Sequence, residues 1–314
     1  MQSNGTARKV AHGRRAFVGA LAGATASVLL APRAASGAPQ PITRRIASTG
    51  EMLPVVGLGT WITFNVGDDP VAQDGCADVM RAFFDAGGRL IDSSPMYGSS
   101  QQAIGYGLRK LGMPQALFAA DKVWIASGAR GPAQIEASRT HWSVRRFDLL
   151  QVHNLLAWQE HLPTLFAMKT EGRLRYVGIT TSEGRRHGDV EAIMRQAPLD
   201  FVQVTYNAAD RDVEARILPL ARDRGIAVIV NRPFRQRALI EATRRAPLPA
   251  FAADIGCTSW AGLLLKFIAA HPAVTCAIPA TTQPAHAREN MAAARGELPD
   301  EAMRQRIANL VAGL

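Results

Sequence analysis

Between residues 55 and 294 a short apolar run is followed eight times by a longer amphipathic segment. The runs are 55–60, 89–92, 117–120, 147–152, 174–180, 201–205, 226–230 and 274–278. Each is too short for a helix and is bounded by turn residues, so each reads as a strand. The segments between them carry apolar residues at helical spacing, as Val71, Val79, Phe83 and Ala86 do after Asp68-Asp69-Pro70. Runs such as 226–230 lack polar alternation, which suits parallel strands covered by helices. Eight such units make up a closed parallel barrel, so the expected fold class is α/β, a (β/α)8 TIM barrel. Residues 42–56 hold two extended runs around Ser48-Thr49-Gly50 and predict an N-terminal β-hairpin that plugs the barrel from below. A C-terminal extra helix is expected near 299–312. No repeat and no Pro, Gly or Ser-rich linker follows residue 41, so residues 39–314 form one domain.

Residues 1–38 stand apart. Their basic start ends in Gly13-Arg14-Arg15-Ala16-Phe17-Val18, and a mildly apolar, Ala- and Gly-rich run without charge extends to Arg33. Ala35-Ser36-Gly37-Ala38 offers small residues for cleavage. The run is too weakly apolar for a membrane span, so no stable insertion is expected after cleavage. The pattern resembles a twin-arginine export signal, with Gly13 where Ser or Thr is commoner. That implies the twin-arginine export machinery as a partner and a periplasmic or exported location. The other reading is a basic arm on a cytoplasmic protein. The segment also bears on charge: it holds five of the ten net positive charges and no acid, leaving +5. The remaining arginines are scattered beside acids, without interleaved aromatics, so nucleic acid is not an expected partner. Cys76, Cys257 and Cys276 form no metal or redox spacing and read as buried thiols, and no metal site is expected.

The chemistry concentrates where strands end. Residues 89–98, RLIDSSPMYG, turn polar at Asp92 and carry Tyr97 in the loop that follows. Lys122 and His153 come at or just past the ends of the next two runs. In a barrel these ends converge on one face. A phenol with an ordinary pKa of about 10 is a poor acid at neutral pH. An ammonium beside it stabilises the phenolate and lowers that pKa. Lys122 can supply the ammonium and Asp92 can hold it. His153 can donate a hydrogen bond to a carbonyl oxygen, which Tyr97 protonates as hydride reaches the carbon. No side chain can deliver hydride, so a cofactor is required.

Gly57-Leu58-Gly59-Thr60-Trp61, Leu90-Ile91-Asp92-Ser93-Ser94-Pro95-Met96-Tyr97-Gly98, Asp121-Lys122-Val123-Trp124 and Leu149-Leu150-Gln151-Val152-His153 make the chain resemble the aldo-keto reductase superfamily from about 42 to 296. The resemblance implies reduction of aldehydes or ketones with NADP(H), NAD(H) not being excluded. It puts Asp92, Tyr97, Lys122 and His153 in the catalytic tetrad. It also implies cofactor contacts from Gly59, Thr60, Trp61 and Asp92. Thr180 and Thr181 stand where Ser-Asn is usual, and Gln203 matches the residue that holds the carboxamide. Asn231 replaces an aromatic stacked on nicotinamide, with Arg232, Pro233 and Phe234 next to it. Ile278, Ala280, Thr281, Thr282, His286, Glu289 and Asn290 match the segment around the cofactor tail. Ala280 and His286 replace a Lys and an Arg that face the 2′-phosphate, leaving Thr281, Thr282 and Arg288 as its candidate contacts. Trp61, Tyr97, Trp124, His153 and Asn154 are expected around a small-molecule carbonyl substrate, in a protein acting as a monomer. Two further classes remain: a slow nucleotide-binding or sensing barrel, for which the missing stacking and phosphate residues argue, and a hydrolase, against which the lack of a metal cluster and of a G-x-S-x-G elbow argues.

Overall fold

The structure, a computed structural model, describes residues 40–314. The expected export signal lies outside the described residues. β1 (Thr43–Arg45) and β2 (Met52–Pro54) form the expected antiparallel hairpin, with Thr43 opposite Pro54. β3 (Leu58–Gly59), β4 (Leu90–Asp92), β5 (Phe118–Val123), β6 (Phe147–His153), β7 (Leu174–Thr180), β8 (Phe201–Thr205), β9 (Ala227–Asn231) and β10 (Cys276–Ala277) then pair in chain order, all parallel. Single bridges from Val56 to Ala277 and from Gly59 to Ala280 join the two edges and close the barrel. Closure needs glycine at 59, because a Cβ there would lie 2.6 Å from the Ile278 carbonyl oxygen.

Helices follow the strands as the periodicity predicts. α1 (Pro70–Asp85) is started by Asp69, whose carboxylate accepts from the Val71 amide at 2.9 Å, with Pro70 at the first helical position. After it come α2 (Ser100–Lys110), α3 (Gly131–Trp142), α4 (Trp158–Thr170), α5 (His187–Gln196), α6 (Ile217–Arg224), α7 (Ala238–Thr243), α8 (Trp260–Ala269) and α9 (Pro284–Ala292). The extra helix, α10 (Glu301–Ala312), begins on an Asp300 cap. β3 and β10 keep only two residues each, where strands over 55–60 and 274–278 are expected, and two further elements differ. The helix expected over 211–224 starts only at Ile217, which places Pro219 in the first turn, where its missing N–H costs nothing. β5 runs to Val123, past the expected end at 120, because Asp121 and Lys122 are themselves buried at 0% exposure.

Two cores result. The outer one lies between strands and helices and holds residues such as Val79, Leu150, Val177 and Leu264. The inner one fills the barrel with Leu90, Phe118, Ala120, Leu149, Tyr176, Phe201, Ile229 and Cys276, and the hairpin adds Ile46 and Leu53 from below. Side chains two apart on a strand share a face, so the inward rows are fixed from here to the strand ends.

Candidate active site

Above the inner core the same inward rows turn polar. Leu90 is followed by Asp92, Ala120 by Lys122, Leu149 by Gln151 and His153, and Phe201 by Gln203. The parallel register sets Asp92 beside Ala120 and Lys122 beside Gln151, so the side chains rise around one ring. The Lys122 ammonium donates to Asp92 Oδ2 at 2.5 Å and to the Ser93 carbonyl at 2.7 Å. Asp92 Oδ1 accepts from Gln203 Nε2 at 2.9 Å and Gln151 Nε2 at 3.2 Å, and its backbone carbonyl accepts from the Thr60 hydroxyl at 2.9 Å. Asp92, Lys122 and Gln151 are all buried. A buried ammonium bound this way stays charged: Asp92 and the neighbouring groups outweigh the burial that opposes it, and its pKa lies above the ordinary lysine value.

Tyr97 sits on a turn closed by its amide on the Ser94 carbonyl at 2.9 Å. Its ring lies 5.1 Å from the Lys122 nitrogen and meets His153 edge-on with centroids 5.8 Å apart. The expected lowering of the Tyr97 pKa is not what the surroundings produce. Burial raises it and is the largest cause; Lys122 opposes this, and Asp92 adds to it. The phenol therefore rests protonated, and Lys122 limits the rise instead of reversing it. His153 is held neutral, its pKa pushed down to about 3 by burial and then by Lys122. Its Nδ1 lies 2.8 Å from the Ser94 hydroxyl.

These groups open on a cavity of about 1230 Å³. Gly59, Thr60, Trp61, Asp92, Tyr97, His153, Asn154, Thr180, Gln203, Asn231, Arg232, Pro233, Phe234, Ile278, Ala280, Thr281, Thr282, His286, Glu289 and Asn290 all line it. Four expected residues do not, Arg288 among them. Lys122 lies beneath, under Tyr97. Thr181 is turned into the wall, where its hydroxyl has no partner and its carbonyl accepts from Asn231 Nδ2 at 2.9 Å. Trp124 stands on the rim, 39% exposed, with its ring 6.4 Å from His153. The Gln203 amide is engaged at both atoms: Nε2 donates to Asp92, and Oε1 accepts from Thr180 at 3.2 Å and Asn231 at 3.4 Å.

Other contributors were not singled out from the sequence. Gln151 and Ser94 touch Asp92 and His153 directly. The signal for Gln151 was its parity with His153, two residues on in an apolar strand. Asp121, raised to about 7 by burial, accepts from the Lys122 amide at 2.7 Å and from Gln101 Nε2 at 2.8 Å. Arg185, Arg235, Arg237 and Arg244 line the far part of the cavity, and nothing in a solvent-facing loop sequence distinguished them. Among the described residues no group of His, Cys, Asp and Glu is arranged to hold a metal, and no helix is long and apolar enough to cross a membrane.

A closed parallel barrel with its ionisable groups at the carboxyl ends of the strands places the chain among barrel enzymes that act at that face. Residues 55–309 match the Aldo/keto reductase family, and the chain belongs to it. It is 26% identical to aldo-keto reductase YhdN of Bacillus subtilis over 59% of this chain and 60% of that one. It is 27% identical to the NADH-specific methylglyoxal reductase of Escherichia coli over 65% of this chain and 71% of that one. An aldo-keto reductase from Klebsiella pneumoniae, crystallised with NADPH, superposes with a TM-score of 0.73 at 23% identity, covering 86% of this chain and 95% of that one.

Proposed function

We propose that the chain reduces aldehydes or ketones to alcohols with Tyr97 as general acid, and that it takes NADP(H), with NAD(H) as the alternative. The observation that carries this reading is the buried Asp92–Lys122 pair beneath the Tyr97 ring, with neutral His153 beside it at the mouth of the cavity. The cavity fits a large cofactor, since ordinary ligand pockets measure about 300–1,000 Å³ and this one exceeds them. The donor set fits as well: Asn231, Thr281 and Thr282 lie along one wall, and Arg235, Arg237 and Arg244 add positive charge suited to phosphate. These arginines pair with Asp210 and Glu241, so a cofactor phosphate would compete with those carboxylates for them; tighter binding of NADP(H) than NAD(H) is expected in a titration with both.

Bound reduced nicotinamide would supply the hydride. The chain's own groups do the rest. His153 donates a hydrogen bond to the carbonyl oxygen and fixes its direction. Tyr97 gives that oxygen its proton, and the Lys122 ammonium stabilises the phenolate left behind. Asp92 holds Lys122 in place, and the two glutamine amides hold Asp92. General acid help of this kind is worth about 10²–10⁴-fold. Trp61 and Asn154 line the space for the substrate, with Trp124 at its rim. Family membership and the carbonyl-reducing activities named for the relatives support the reaction class. The test is Tyr97→Phe: cofactor binding should persist while turnover falls about 10²–10⁴-fold. A variant that kept full turnover would remove Tyr97 from the reaction. We also propose export, resting on the sequence of residues 1–38; a C-terminal tag recovered only from the cytosol at full-length mass would overturn it.

A further inference from the structure

We propose that Ser94 is a positioning residue that fixes the His153 tautomer with the proton on Nε2, the nitrogen that faces the substrate. The proposal rests on the reading of His153 as a hydrogen-bond donor to the carbonyl. A neutral imidazole has one N–H, and the proton must be on the nitrogen facing substrate for that role. His153 Nδ1 points the other way, 2.8 Å from Ser94 Oγ. His153 itself lines the cavity and is neutral across the working pH range.

The direction of that hydrogen bond follows from the surroundings of Ser94. The residue is fully buried. Its oxygen already accepts from the Met96 amide at 3.2 Å. Among the described residues the hydroxyl has one other partner, His153 Nδ1. If Nδ1 carried the proton, it would donate to Ser94 Oγ and leave the serine O–H buried with no acceptor. Leaving a buried donor unmade is the costly alternative, and it disfavours that tautomer by about tenfold or more. If Ser94 donates instead, both atoms are satisfied and the proton resides on Nε2. The other tautomer would also turn a nitrogen lone pair toward the carbonyl oxygen, a repulsive contact. The preceding serine does not share this task, since Ser93 Oγ is 3.0 Å from Ser100 Oγ.

The test is nitrogen-detected NMR of the histidine ring, combined with kinetics. In the wild-type protein His153 should show a protonated Nε2 and an unprotonated Nδ1. A wild-type spectrum with the proton on Nδ1 would overturn the proposal without any variant. Ser94→Ala should give a mixed tautomer, a kcat lowered about tenfold and unchanged cofactor affinity. Ser94→Thr restores the hydroxyl and should recover the Nε2–H pattern and most of the kcat. A Ser94→Ala protein that binds cofactor and keeps both the Nε2–H pattern and its kcat would also overturn it. Failure of the reductase reading is separate, because it would appear in Tyr97→Phe whatever the histidine spectrum shows.

Discussion

The two ends of the barrel are built from the same residue types and solve opposite problems. At the lower end, Glu51 on the hairpin loop accepts from Arg89 at 2.9 Å, from the Tyr176 hydroxyl at 2.8 Å and from Arg175. Arg175 also donates to Asp148 at 2.6 Å, and Arg89 to the Met52 carbonyl at 2.7 Å. Each group has its partners, and Ile46 and Leu53 close the floor. At the upper end, Gln151 Oε1 and Thr181 Oγ1 are buried without partners. Asn154, Leu155 and Ala157, just beyond His153, have φ of 52°, 56° and 47°, and Arg232 has 52°. Backbone of this kind costs energy and collects where function needs it. The lower end has left-handed residues too, Met113 and Ser143 at φ of 55° and 59°, and Arg44 Nε on the hairpin is buried without a partner; what distinguishes the upper end is that such features adjoin the ionisable groups of the site, Gln151 beside Asp92 and Asn154 after His153.

The hardest blow to that comparison is aimed at Lys122. Lys122→Met should lower kcat/KM by about 10³-fold, within the range of a lost acid–base system. It should also cost about 3 kcal/mol in urea unfolding, because it leaves the Asp92 carboxylate buried without its cation. The Gln151 and Gln203 amides keep that cost at the low end of such losses. Replacing both partners with Asp92→Leu and Lys122→Met should recover stability but no activity. A stably folded Lys122→Met protein with normal turnover would erase the distinction between the two ends.

Glu51→Gln tests the other side. It should cost about 1–3 kcal/mol, since Arg89 and Arg175 lose a charged acceptor at a site only 17% exposed. Arg175 keeps Asp148, which limits the loss. Turnover should stay within twofold of wild type. A larger change in kcat/KM would mean that the lower network sets the geometry above it.

Much of this was readable from the sequence, for reasons that differ by element. The eight strands declared themselves because each is buried on both faces and so is largely apolar. Asp92, Lys122 and His153 stood out as polar residues ending apolar runs. The same rule misplaced the end of β5, since a buried ion pair looks like a strand exit until its partner across the sheet is known. Gln151 was hidden because an amide inside a strand has no signature without the barrel's parity. The Ser94–His153 contact spans residues 59 apart, and only the closed barrel brings them together. Glu289 and Asn290, expected from the motif, line the cavity, but the arginines that also line it come from an irregular segment with left-handed Arg235 and Gln236.

Acid sharpens the comparison further. His153 has a folded pKa of about 3 against 6.5 unfolded. The unfolded chain therefore binds the extra proton, and this contribution to stability is lost progressively as pH falls from 6.5 toward 3. Glu51 is held below its ordinary 4.5 by Tyr176, Arg89 and Arg175, which together outweigh its burial. Its contribution is present above about 4.5 and is lost only as pH falls through the depressed value. Asp121, raised to about 7 by burial, works the other way at the same end: the folded chain takes up its proton first and gains stability as pH falls from about 7 toward 3.8, so the upper end carries two opposed titrations. Between pH 6.5 and 4.5, His153→Gln should remove a stability loss of on the order of 2 kcal/mol and leave the opposite gain from Asp121 visible, while Glu51→Gln should leave that window unchanged and alter the slope below it. Matching slopes in the two variants would show that the ends do not titrate separately.

The smallest effect is expected from Thr49→Val, at the far edge of the lower network. The Tyr176 hydroxyl donates to Glu51, so Thr49 Oγ1, 2.6 Å away, is the donor to Tyr176. Valine keeps the shape and removes that donor, together with the acceptor for the Glu51 amide at 3.3 Å. Tyr176 loses an accepted hydrogen bond but not its own donation, and Thr49 is exposed, so water can replace what is lost. The cost should be no more than about 0.5–1 kcal/mol in urea unfolding. The value of so mild a change lies in its distance from the chemistry. Tyr176 is two residues before Gly178 and four before Thr180 on one inward row of β7, so any shift at its foot has a direct path to the cavity. Unchanged kcat/KM with a small loss of stability means that the packed inner core between Tyr176 and Gln203 isolates the site. A kcat/KM that fell by more than the stability loss could explain would mean the floor and the site move together.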